Sequence, residues 1–145
     1  MRRWALIAAL IVSACAAGPV APADPRMGEE ACAHCRMTIV SRATAAQVAR
    51  SGDEPVFFDD LGCLRDYLLH RPAAVDAVVY VADHRSGAWV EASTARFTKT
   101  GSATPMASGL VAHADQASRD ADPAAVGGAP VTARDVLGSQ ERSTP

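Results

Sequence analysis

Residues 56–70, Val56-Phe57-Phe58-Asp59-Asp60-Leu61-Gly62-Cys63-Leu64-Arg65-Asp66-Tyr67-Leu68-Leu69-His70, pass from a strand signal to a helix signal within a few positions. Val56-Phe57-Phe58 is a β-branched and aromatic run behind the turn Ser51-Gly52-Asp53-Glu54-Pro55. Asp59 or Asp60 then offers an N-cap, and Leu61, Leu64 and Leu68 recur at helical spacing with Arg65, Asp66 and His70 facing elsewhere. Residues 60–70 therefore read as an amphipathic helix, closed by Pro72. Upstream, Met37-Thr38-Ile39-Val40 and Ala45–Ala49 are strand candidates. Downstream, Ala77–Val81 reads as a buried strand and Ala88–Ala92 as its hairpin partner across the Asp83–Gly87 turn. Strands, helix and strands in this order predict a small α+β domain with antiparallel strands.

Beyond the loop Thr98–Met106, the expected elements are a strand at Gly109–His113, a weak helix at Gln116–Val126 interrupted by Pro123, and a last helical turn at Thr132–Leu137. With 145 residues, 49% of them hydrophobic, the chain fits one compact domain and excludes a large multidomain enzyme. Its 14 basic and 16 acidic residues are dispersed, so no basic tract tracks a phosphate backbone and no nucleic-acid partner is expected.

The N-terminus is read apart from the fold. Arg2-Arg3 is a basic n-region, Trp4–Val12 a short apolar h-region, and Ile11-Val12-Ser13-Ala14-Cys15 a lipobox. Nine apolar residues fall well short of the roughly 20 needed to span a bilayer. The expectation is a signal peptide over 1–14, cleavage before Cys15, and acylation of its thiol, so that the membrane is met through the lipid anchor only. Residues 15–30, with Gly18-Pro19, Pro22 and Pro25, are expected to form a flexible tether, 31–137 the domain, and 138–145 a disordered tail. Ala16 after the acylated cysteine favours the periplasmic face of the outer membrane.

If Cys15 carries lipid, Cys32, Cys35 and Cys63 remain. Three thiols cannot close a disulfide framework, so at least one is free, intermolecular or metal-bound. Cys32-Ala33-His34-Cys35-Arg36-Met37 places two thiols and a thioether within six residues, soft donors that favour Cu(I) over hard cations. The same pair fits half of a zinc site, a redox pair or a local disulfide. A redox pair would need a strand before it and a helix after it, and neither is read here. Cys63, in the first helical turn, is either a buried cysteine or a ligand. Thr104-Pro105-Met106-Ala107-Ser108-Gly109 presents Met106 on a constrained turn outside any apolar periodicity, which marks it as a candidate ligand. His70 and His84 read as solvated surface residues. His34 and His113 are weaker candidate ligands, His113 reading first as a satisfied strand histidine.

The ordered set Cys32-x-x-Cys35-x-Met37, Ala45-Ala46-Gln47, Phe58-Asp59-Asp60-x-Gly62-Cys63 and Thr104-Pro105-Met106-x-Ser108-Gly109, behind a lipobox, resembles the NosL lipoproteins over about residues 30–115. The resemblance implies two small ββαβ units. It also implies a non-enzymatic role: periplasmic Cu(I) binding by Cys32, Cys35, Met37 and Met106, for assembly of nitrous oxide reductase together with its ABC-type maturation transporter. Arg36 stands where the family usually has Gly. The Asp- and Ala-rich stretch after Ala114 departs from the helix expected there, which predicts a partly disordered second unit. The rival readings are a thiol-disulfide oxidoreductase using Cys32 and Cys35 with Thr104-Pro105 facing them, and a zinc- or disulfide-stabilised surface lipoprotein.

Overall fold

The computed structural model describes residues 19–138. The signal peptide, Cys15 and all of the tail after Gly138 lie outside the described residues. Two antiparallel sheets and a few short helices make an α+β fold. The first sheet holds β1 (Ala46–Ala49), β2 (Val56–Phe58), β3 (Val78–Ala82) and β4 (Trp89–Glu91) in the order β2-β1-β3-β4. Helix α1 (Leu61–His70) connects β2 to β3. The second sheet holds β5 (Arg96–Lys99), β6 (Leu110–His113) and β7 (Ala129–Val131) in the order β6-β5-β7. Helix α2 (Gln116–Asp120) lies between β6 and β7, and α3 (Ala133–Leu137) follows β7.

The two sheets thus repeat one plan. In each, the first strand is central and pairs antiparallel with the second and third, and a helix bridges the second and third. In the first unit the helix forms where the leucine spacing places it. The Asp60 side chain accepts the Gly62 N–H at 2.6 Å as the N-cap, and Arg71 N–H donates to Tyr67 O at the end. Leu61, Leu64 and Leu68 are buried against the sheet, each worth about 1.5–3 kcal/mol of apolar burial.

The second unit is ordered through Gly138, contrary to the disorder its composition predicts. Its bridging helix is cut to five residues because Pro123 cannot extend it, and Asp122 instead caps a short 3-10 turn at Pro123–Ala125. Since α2 buries no side chain, the missing packing comes from α3. There Thr132 and Asp135 form a reciprocal capping box, and Val136 and Leu137 pack into a core shared with α1. One cluster containing Phe58, Leu64, Phe97, Leu110, Val136 and both Cys32 and Cys63 spans the two units, so they fold as one body.

The units are joined by Asp83, at the end of β3. Its Oδ1 accepts from the N–H of Arg85 and Ser86 and from Ser86 Oγ, and its Oδ2 accepts from the Ala114 N–H and Ser118 Oγ. Burial works against its charge, but these donors win and hold the carboxyl far below the usual carboxylate range.

Residues 20–30 are not free. The Gln47 side chain, fully buried on β1, clamps the backbone of Ala23 through two hydrogen bonds of 2.8 and 2.9 Å. Tyr80 donates its hydroxyl proton to Val20 O at 2.6 Å, and Asp24 meets both Arg42 and the Trp89 indole N–H. The expected tether over 15–30 is therefore docked from Val20 onward, because a buried glutamine amide must be satisfied.

Candidate metal centre

Residues 30–39 fold into a small knuckle. Ala31 and Thr38 form an antiparallel bridge, Cys32 N–H donates to Met37 O at 2.8 Å, and Arg36 N–H donates to Cys32 O at 2.9 Å. Closing so tight a loop requires a left-handed residue, and Arg36 takes it with φ 67°. A glycine adopts that conformation without cost, which explains the departure seen at this position as a local strain.

The knuckle aims Cys32 and Cys35 at the first turn of α1. There Cys63 completes a group of three cysteines, none in a disulfide, whose sulfur atoms all lie within 4.8 Å of one another. Cys32 and Cys63 are buried and Cys35 is half-buried. Burial pushes the Cys32 thiol up, but the backbone N–H groups of Asp59, Cys35 and His34 donate to its sulfur and bring it below the usual thiol range. Burial, and then the charge on Cys32, drive the Cys63 thiol far above its ordinary value. A helix N-terminus alone would favour a Cys63 thiolate, yet burial and then the adjacent sulfur outweigh it. The two buried sulfurs are thus pushed in opposite directions, Cys32 toward the thiolate and Cys63 toward the thiol.

The Thr104–Gly109 turn docks on the same helical turn. Asp60 Oδ2 accepts the Met106 N–H at 3.0 Å, and the Ser108 and Thr104 hydroxyls also bond to this carboxylate. Burial raises the Asp60 pKa, but these donors more than offset it and hold it below the usual range. Gly62 allows the approach: a Cβ there would lie 2.7 Å from Ser108 Cβ. Met106 is 42% exposed and Met37 is 57% exposed. Large apolar side chains left in water on the knuckle and on the docked loop are available to an incoming ion or partner.

His34 is exposed and lines an open depression with Ala33, Tyr67, His70 and Arg71. His113 stands apart from the cysteines, grouped instead with His84 and Asp122. His84, read from sequence as a solvated turn residue, is held by Asp122 at 2.6 Å and is mostly shielded. Sequence reasoning also missed the roles of Asp60 and Gly62 in seating the Met106 loop. The signal available was the pair of acids followed, after one intervening residue, by a glycine, a pattern that helix capping alone also explains.

The NosL family model matches residues 25–139, most of the chain and every element of the centre just described. The chain belongs to the NosL family. No curated protein and no solved structure matches it. The match begins within the docked N-terminal segment and runs to the end of α3, so the NosL domain includes the second unit in full. Among the described residues, no helix is long and apolar enough to cross a membrane.

Proposed function

We propose that this NosL-family chain is a lipid-anchored periplasmic metallochaperone that carries Cu(I) as cargo and delivers it for assembly of nitrous oxide reductase, in concert with an ABC-type maturation transporter. The observation that carries the proposal is the convergence of Cys32, Cys35 and Cys63, three soft sulfur donors, within 4.8 Å. Met37 and Met106, exposed on flanking segments, supply thioethers from the solvent side. Cu(I) accepts two or three such ligands, so a donor can let go as an acceptor ligand attacks, and free aqueous copper is never formed. Cys15 supplies the anchor, and the acceptor rests on family kinship.

The oxidoreductase reading is weakened by burial. The sulfur with the lowered pKa, Cys32, is fully buried and cannot attack a disulfide on another protein.

The test is a Cu(I) competition titration of the reduced protein against a chromophoric chelator, followed by transfer to metal-free nitrous oxide reductase. Tight binding of one Cu(I), weakened about 100-fold or more by Cys35→Ser, and recovery of reductase absorbance on mixing are expected. Zn2+ held by the cysteines in preference to Cu(I) would overturn the cargo assignment. Retention of Cys15→Ala in washed membranes would overturn the anchor.

A further inference from the structure

We infer that His84, His113 and Asp122 form a second metal site, separate from the cysteines, that takes a borderline divalent cation such as Zn2+ or Cu2+ through two imidazole nitrogens and one carboxylate oxygen. The three residues come from three different segments: the turn after β3, the end of β6, and the cap of the Pro123 turn. Their donor atoms all lie within 4.8 Å of one another. His84 Nδ1 is 2.6 Å and His113 Nε2 2.8 Å from a single atom, Asp122 Oδ2.

Each donor is fixed by backbone. His84 N–H donates to Ala112 O at 2.8 Å, which pins the turn to β6 one residue before His113. Asp122 Oδ1 accepts the Ala124 N–H at 2.9 Å, which leaves Oδ2 alone to face the two rings. His113 is fully buried, and Asp122 keeps 6% and His84 21% of side-chain exposure, so the group is open to water on the His84 side only. An ion would enter from there and leave a coordination position for water. Zn–N and Zn–O bonds of about 2.0–2.2 Å require donors roughly 3.3 Å apart, a separation reached by a small opening of the present contacts.

The alternative is a carboxylate clamp between two imidazole rings. It accounts for two hydrogen bonds, but a buried His113 leaves Nδ1 without a partner. That nitrogen is unpaired whichever ring nitrogen carries the proton, so it does not separate the empty state from the loaded one. What it shows is a standing cost of burying imidazole on β6. Nitrogen and carboxylate donors are poor for Cu(I) and good for Zn2+ or Cu2+, so the two sites sort metals by softness.

The experiment uses the full mature chain with Cys32→Ser, Cys35→Ser and Cys63→Ser, titrated with Zn2+ against a chromophoric chelator. One bound equivalent is expected, weakened about 100-fold or more when His113→Phe is added. Co2+ on the same background should give visible d–d bands with no sulfur-to-metal charge transfer. If the cysteine-free chain does not fold, unaltered protein and its His113→Phe variant are compared with Co2+. The sulfur-free bands and one equivalent should then vanish while the charge-transfer band stays. A folded cysteine-free chain that binds no Zn2+, or binds it equally after His113→Phe, overturns the site. Neither result bears on Cu(I) binding by the cysteines.

Discussion

Asp60 accepts the backbone N–H of Met106 at 3.0 Å, across 46 residues of sequence, and so fixes a methionine loop of the second unit to the helical turn that carries Cys63. The N-cap of α1 is therefore also the latch of the candidate copper centre.

That latch is tested at Gly62. A methyl group there meets Ser108 Cβ, so Gly62→Ala should displace the Thr104–Gly109 loop at a cost of about 1–3 kcal/mol of stability. If Met106 ligates Cu(I), Gly62→Ala should weaken Cu(I) binding by a similar factor at every pH from about 5 to 8, as should Met106→Leu, because a thioether carries no proton in this range. A loss of affinity that grows with pH would assign the effect to a thiol instead.

The thiols differ in their dependence on pH. Cys63 keeps its proton under burial and the charge of Cys32, so its ligation must release one proton, whereas Cys32 is already biased toward thiolate. Affinity should rise with pH. Cys63→Ser should lower the slope of log affinity by about one decade per pH unit, while Cys32→Ser should lower affinity without removing that component. Cu(I) titrations at several pH values measure both, and an unchanged slope in Cys63→Ser would exclude Cys63 as a ligand.

Arg36 holds a left-handed conformation at φ 67°. Arg36→Gly relieves about 1–2 kcal/mol of strain. It adds roughly 0.4–1 kcal/mol of unfolded-state entropy. The expected balance is a gain of up to about 1.5 kcal/mol, read as a rise in Tm of a few degrees. A lower Tm would show that the arginine side chain contributes contacts that outweigh its backbone strain.

At the joint between the units, Asp83 ionises far more readily folded than unfolded. A depressed carboxyl pKa stabilises the fold above the unfolded value of about 3.9 and loses that contribution as pH falls toward the folded value. Asp83→Asn should cost about 2–4 kcal/mol at pH 7. Its acid-unfolding curve should also be flatter below about pH 4. Parallel curves for the two proteins, displaced but equal in slope, would place the acid sensitivity elsewhere.

How much of this was written locally in the chain follows from where each signal resides. Helix α1 was legible because Leu61, Leu64 and Leu68 carry its period within a few residues, and Val56–Phe58 and Ala77–Val81 are plain apolar runs. Strand β5 was not, since Arg96-Phe97-Thr98-Lys99 places charges at both ends of a central strand of only four residues. β7 was hidden by Pro130, tolerated because β7 is an edge strand. The cysteine knuckle and the Thr-Pro-Met turn are local motifs and announce themselves. The meeting of His84 with Asp122 joins residues 38 apart through a helix cut short by proline, and no local pattern encodes it.

The clamp of Gln47 on Ala23 and of Tyr80 on Val20 also sets a leash. With Cys15 acylated, as proposed, only five peptide steps separate the lipid from the first pinned residue. A fully extended chain of that length reaches at most about 18 Å. A free spacer through residue 30 would have let the copper centre sweep roughly three times as far. If the anchor and cargo are as proposed, the docked segment instead keeps the domain on a short leash above the headgroups. On that proposal an acceptor would have to come to the bilayer surface to collect copper, and a membrane-bound acceptor would meet it by encounter in two dimensions.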